Sequence, residues 1–217
     1  ANEETKKIYH KDILYHILLR AKDYINDIKD KVIILENEEL GKALVLPYVT
    51  RFSQKYVGRV LAKLIAYKTD LLNFKNYNIK VTHIVLTISP ENYVTLSMAY
   101  KELRKAQHRV LMALRKRYGK ENILGYIFVP ELGSENHRLH GHLLVFHISE
   151  WISAELVYKS SKVGGVKLKR YRSVSYGIRY ISKYIVKYQI ALKQNQSLEE
   201  TNLALLSMAV VWSLNGR

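Results

Sequence analysis

At residue 81 the hydrophobic period of this chain changes, and that switch restricts the folds open to it more than any other feature. Before it, apolar residues recur at helical spacing. Ile13, Leu14, Ile17, Leu18, Ala21, Ile25 and Ile28 form one run, and Val57, Val60, Leu61, Leu64, Ile65 and Leu72 a second. Residues 1–40 therefore read as helical, with another helix over 50–72. From Val81 to Ile88 the order Val-Thr-His-Ile-Val-Leu-Thr-Ile is β-branched and alternating, the pattern of a strand. Ser89-Pro90 offers an N-cap and a first-turn proline for a helix running to Tyr118, and Gly119 suits its C-cap. Strand-like runs at 124–131 and 139–147 flank a turn at 132–136. A short helix at 151–158, a strand at 164–171, a helix over 174–194 and a last one over 198–212 complete the order. Helices followed by β-α-β-β-α-β-α-α predict an α+β chain with a ferredoxin/RRM-like antiparallel sheet and an N-terminal helical extension. The polar stretch 73–78 predicts the boundary: residues 1–75 as extension, 76–217 as the main domain.

Charge narrows the partners. Lys and Arg number 35 against 19 Asp and Glu, a net of +16 with a pI near 9.8. Residues 1–40 hold nine acids and seven bases, so the other 177 carry +18. No acid lies between Glu155 and Glu199, a stretch that includes Lys167, Lys169, Arg170, Arg172, Arg179, Lys183 and Lys187. Tyr171, Tyr176, Tyr180, Tyr184 and Tyr188 interleave with them. Cations neutralise phosphates and aromatic faces stack on unpaired bases, so the expected partner is single-stranded nucleic acid. The competing reading is a solvated basic face over packed tyrosines; the length of the acid-free stretch favours nucleic acid. With no cysteine, disulfides, thiolate zinc sites and a Cys nucleophile are excluded from this chain. No apolar run approaches about 18 residues and the first residues lack the shape of a signal peptide, so a cytoplasmic protein without a membrane partner is expected. No GxxxxGK[ST] motif occurs, so any helicase work falls to a partner.

Two constellations can carry chemistry. In His140-Gly141-His142 the imidazoles sit at i and i+2 of a strand and share a face, where they can chelate one cation. Across a hairpin, Glu131 falls opposite His140 on that face, and two imidazoles with one carboxylate leave a divalent ion open positions. Glu135 is the alternative carboxylate, and His137 and His147 have the wrong parity to join the pair. In the second constellation, about 100° per residue places Tyr180, Lys183, Tyr184 and Lys187 within roughly 100° of arc, beside a buried stripe of Ile178, Ile181, Ile185 and Leu192.

Glu131-x-Gly133, Arg138-x-His140-x-His142 and Tyr180-x-x-Lys183-Tyr184-x-x-Lys187, in this order, resemble the HUH endonuclease superfamily, more narrowly the two-tyrosine rolling-circle replication initiators of plasmids and phages. The strand ending Ile84-Val85-Leu86-Thr87 resembles the first motif of that family. Gly141 departs from it, since a bulky apolar residue is usual there. The resemblance spans about residues 81–188 and implies an HUH site on a central strand, with Mg²⁺ or Mn²⁺ held by His140, His142 and Glu131. It also implies nicking and rejoining of single-stranded origin DNA, with Tyr184 and Tyr180 as nucleophiles and a 5′-phosphotyrosine intermediate. Lys183 and Lys187 are the expected charge partners of the phenols, with Tyr184 favoured as first nucleophile. Arg138, Lys167, Lys169, Arg170, Arg172 and Arg179 are the expected DNA contacts, and a host helicase and polymerase the further partners. The rival readings are a transposase or relaxase on the same core, and a non-catalytic single-strand-binding module.

Overall fold

The structure, a computed structural model, describes residues 3–50, 52–74, 77–89, 95–133, 138–194 and 196–214. Helix α1 (Glu3–Ile28) does not continue to residue 40. It gives way to an antiparallel hairpin, β1 (Val32–Asn37) and β2 (Lys42–Pro47). The reason is local. Asn37 Oδ1 accepts the Leu40 N–H at 2.9 Å, and Gly41 takes φ +55°, a left-handed backbone that closes the turn. Every residue of both strands is exposed.

Helix α2 (Gln54–Asn73) leads to β3 (Lys80–Thr87), followed by α3 (Leu96–Tyr118), β4 (Ile123–Leu132), β5 (Leu139–His147), α4 (Ala154–Ser161) and β6 (Gly165–Tyr171). These four strands form one antiparallel sheet in the order β4-β5-β3-β6. β5 lies between β3 and β4, which α3 connects, so this is the split β-α-β arrangement of the ferredoxin-like fold. Helix α3 starts at Leu96 rather than beside Ser89, because the Thr95 hydroxyl caps it by accepting the Met98 N–H at 3.2 Å. Pro90 and the turn residues 134–136 lie outside the described residues.

Alternation divides the sheet into two faces. Ile84, Leu86, Leu143 and Val145 pack against Leu103, Ala106, Val110 and Leu114 of α3 in a fully buried core. The opposite face carries Val81, Leu144, Phe146 and Tyr171 under Leu71 of α2 and Val174, Ile178 and Ile181 of α5 (Val174–Ile185). Leu64 and Tyr67 of α2 join that cluster, so the apolar core runs across the boundary expected at residue 75. The stripe of α2 is Leu64, Tyr67 and Leu71, with Ile65 and Leu72 facing solvent. Helices α6 (Lys187–Lys193) and α7 (Leu198–Leu214) complete the chain. Ala21 of α1, Ala191 of α6 and Ala204, Leu205 and Ala209 of α7 pack together, and Leu14 and Leu206 meet Leu132 at the end of β4. Among the described residues no helix is long and apolar enough to cross a membrane.

Candidate active site

Strand register assembles the cluster. Glu131 of β4 pairs with His140 of β5, while Thr87 and Val85 of β3 pair with His140 and His142 from the other side. Alternation then puts Glu131, His140, His142, His83 and Thr87 on the face beneath α5. Thr87 Oγ1 lies 2.9 Å from His140 Nδ1. When Nδ1–H is given to Thr87, Nε2 keeps its lone pair on the side of Gly133. A Cβ on residue 133 would stand 2.9 Å from that Nε2, so glycine keeps the space open. Glu131 is shared between two donors: Oε2 accepts from His142 Nε2 at 2.9 Å, and Oε1 from the Lys187 ammonium at 2.7 Å. Burial pulls the Glu131 pKa upward, but the hydrogen bonds from His142 and Lys187 outweigh it and hold the carboxyl below its ordinary range. Burial, then the charges of His142 and Arg138, push His140 below the usual imidazole value against the pull of Glu131. Gly141 points to the other face, where a Cβ would lie 2.7 Å from Phe128 and 2.9 Å from Leu103. Those two side chains fill the room that a larger residue at 141 would need.

Sequence reasoning missed His83. Its Nε2 lies 3.1 Å from His142 Nδ1, and its Nδ1 lies 3.1 Å from the Tyr171 hydroxyl. A carboxylate only accepts, so His142 donates Nε2–H to Glu131. With a single ring proton, His142 then accepts at Nδ1 from His83, which accepts in turn from Tyr171. The chain Tyr171–His83–His142–Glu131 thus orients the His142 ring. Burial, then the charges of His142, Lys169 and Lys183, lower the His83 pKa to about 3, so it stays neutral. One signal was available in the sequence: His83 shares the parity of Val85 and Thr87 in an otherwise apolar strand.

Helix α5 brings the phenols. The Ser173 hydroxyl caps it by accepting the Tyr176 N–H at 3.1 Å. A Cβ at Gly177 would meet Val81 at 2.8 Å, so this glycine lets the helix settle close on β3. One turn apart, Tyr180 and Tyr184 share a hydrogen bond of 3.1 Å, donated by Tyr184. The Tyr184 ring stacks on the His142 ring, with centroids 3.8 Å apart and planes at 19°. Lys183 Nζ stands 3.9 Å from the Tyr180 ring centre and 4.8 Å from that of Tyr184, and Lys169 Nζ is 5.7 Å from Tyr180. For Tyr180, burial raises the pKa, but the hydrogen bond from Tyr184 and the charges of Lys183 and Lys169 prevail and lower it. For Tyr184, burial leads, Tyr180 and Glu131 add to it, and the pKa rises. Tyr180 is therefore the phenol that ionises first, the reverse of the order expected from sequence.

Lys187 departs from the helical projection. The helix expected over 174–194 breaks at Val186, whose φ of −113° and ψ of 20° separate α5 from α6. Lys187 opens α6 and turns to Glu131, which leaves Lys183 as the cation beside both phenols. Leu192, expected in the buried stripe, is half exposed beyond the break. Lys167 and Lys169 stand on the site face of β6, opposite Val85 and His83. Arg170 points to the other face, its guanidinium 5.2 Å from the Trp151 ring centre. Arg138, Arg172 and Arg179 are exposed, the last 5.6 Å from the Tyr176 ring centre. His147 is buried and bonded to Thr82 and Ser149, a packing residue. Glu135 and His137 lie outside the described residues.

The donor set suits a divalent cation: an ionised carboxylate, a neutral imidazole in His140, and a second imidazole on the same face. The Lys187 ammonium on Oε1 shows that this carboxylate takes a cationic partner. As the side chains stand, the described residues include no group of three or more imidazoles and carboxylates arranged to hold a metal ion. Both oxygens of Glu131 are engaged, by Lys187 and His142, and an incoming ion would displace them.

Fold, charge and site together define a basic α+β nucleic-acid-handling protein. Residues 82–189, the sheet from β3 onward and the helix bearing both tyrosines, match the model of a family described as replication-associated proteins of the ORF2 type. This similarity supports a replication initiator that binds DNA. No curated protein and no solved structure matches the chain.

Proposed function

We propose that this chain initiates rolling-circle replication by nicking and rejoining single-stranded origin DNA through Tyr180 and Tyr184. The observation that carries the reading is the stacking of Tyr184 on His142 while its hydroxyl is bonded to that of Tyr180. Two phenols are thereby held above one imidazole–carboxylate cluster. His140, His142 and Glu131 would hold Mg²⁺ or Mn²⁺, which when bound polarises the scissile phosphate. A phenolate oxygen attacks phosphorus, the bond to the 3′-oxygen breaks, and that oxygen leaves and takes up a proton. The products are a 5′-phosphotyrosine and a 3′-OH that primes synthesis. Lys183 favours the phenolate, and Lys169 and Lys167 line the approach for the DNA backbone. Rejoining reverses the exchange, the 3′-OH attacking the phosphotyrosine. A host helicase and polymerase would supply unwinding and synthesis in the cytoplasm. The cover of α2 and α5 over the site face weighs against a module that displays sheet aromatics to single strands. Incubating the protein with single-stranded origin DNA and Mn²⁺ should give covalent protein–DNA adducts that chelation abolishes. Cleavage without any adduct would remove the tyrosine mechanism.

A further inference from the structure

A cavity of about 420 Å³ opens beside the tyrosines, within the roughly 300–1,000 Å³ typical of ligand sites. It lies along β4, the edge strand of the sheet, and draws walls from α2, α3, β4, α5, α6 and α7. Tyr56, Tyr100 and Phe128 contribute aromatic surface, and Arg104 and Lys187 are its cations. Among the described residues no acid lines it. The Arg104 guanidinium stands 5.3 Å from the Phe128 ring centre, so a cation and an aromatic face already occupy one wall together. The far wall is pinned: Ser207 of α7 accepts the Leu132 N–H at 3.1 Å, which fixes that helix against β4.

Position decides what such a cavity is for. Tyr184 both stacks on His142 and lines the cavity, and Lys187 both binds Glu131 and lines it. A strand whose phosphate sits at the phenols would pass its next nucleotide over the mouth. Aromatic walls set among cations suit a flat, acceptor-bearing ring attached to an anionic backbone. We infer that this cavity is a base pocket that takes one unpaired nucleobase flanking the scissile phosphate. It would thereby help to set where the strand is cut. The inference rests on the reading given under Proposed function and adds to it a base-binding site away from the reacting atoms.

The test compares bases with backbone. An oligothymidylate of about 16 nucleotides, near the upper site size of a single-strand-binding fold, is titrated against an abasic strand of equal length, with a chelator present. The proteins are the full chain, Arg104→Ala and Phe128→Ala, with melting curves as a check on folding. Each variant should lose about tenfold affinity for oligothymidylate, the range of one base–aromatic contact, and less than about twofold for the abasic strand. Equal losses on both strands would make the cavity a phosphate contact and overturn the inference, as would no loss on either. Should Phe128→Ala fail to fold, a 5-iodouracil-substituted strand cross-linked to the full chain decides the matter. Cross-links at Tyr56, Tyr100 or Phe128 support the pocket, and cross-links only elsewhere remove it. A full chain that binds neither strand overturns the nicking reading itself, and the pocket with it.

Discussion

The two faces of the four-stranded sheet are built from the same strands, residue by residue, and are used differently. On the α3 face, Ile84, Leu86, Leu143 and Val145 are wholly buried among aliphatic neighbours. On the α5 face, one residue further along, His83, His142 and Thr87 occupy equally central positions and are bonded to one another or to Tyr171, Glu131 and His140. One face is close-packed hydrocarbon that supplies stability. The other gives up that packing for a hydrogen-bonded array, tolerable in the interior only because its polar atoms are paired. It follows that substitutions one residue apart should separate folding from chemistry.

The largest effect should come from the array. Glu131→Ala and His142→Ala should each lower nicking at least about 100-fold, a loss at or above that seen when even an indirect partner of a metal site is removed. Melting temperatures should stay within a few degrees of the parent, about 1 kcal/mol for a domain of this size. His83→Ala, which frees the far nitrogen of His142, should lower nicking and the affinity for Mn²⁺ about 10-fold to 100-fold. Unchanged Mn²⁺ affinity in that variant would show that His83 only fills space.

On the other face the order reverses. Leu143→Ala should cost about 2–5 kcal/mol of stability, read from denaturant midpoints, through lost burial and the cavity left behind. Below its melting transition the folded fraction should still nick. Loss of nicking without loss of stability at Leu143 would erase the distinction between the faces.

A smaller effect separates them by pH. His83 lies on the site face and His147 on the other; their folded pKa values are lowered to about 3 and about 4, mainly by burial. Above the unfolded value of about 6.5 both states are neutral and neither group matters. As pH falls below it, the unfolded chain takes up protons that the folded chain refuses. Stability should therefore fall by up to about 1.4 kcal/mol per pH unit for each histidine until the folded values are reached. His147→Gln should remove about half of that slope in denaturant titrations, and an unchanged slope would assign it to other groups.

The sheet was legible because its strands alternate cleanly over seven or more residues and α3 carries a long apolar stripe. Register made Glu131, His140 and His142 legible as a group, since parity and hairpin pairing fix which residues share a face. The β1–β2 hairpin was not. Val32-Ile33-Ile34-Leu35 is a continuous apolar run with no alternation, and it directly follows a helical pattern. The break at Val186 was hidden because one altered backbone angle pair leaves the spacing of side chains in the sequence untouched. It redirected Lys187 from the phenols to the carboxylate. His83 showed its face but not its partners, which depend on α5 and β6 arriving over the same point.

The central claim is that Tyr180 and Tyr184 are both nucleophiles. It is tested by mapping covalent adducts on Tyr180→Phe, Tyr184→Phe and the doubly substituted chain, each with single-stranded origin DNA and Mn²⁺. The account predicts an adduct at Tyr180 in the Tyr184→Phe protein and a slower one at Tyr184 in the Tyr180→Phe protein. It predicts none in the double variant. An adduct in the double variant, or adducts confined to one tyrosine under every metal condition, would contradict it.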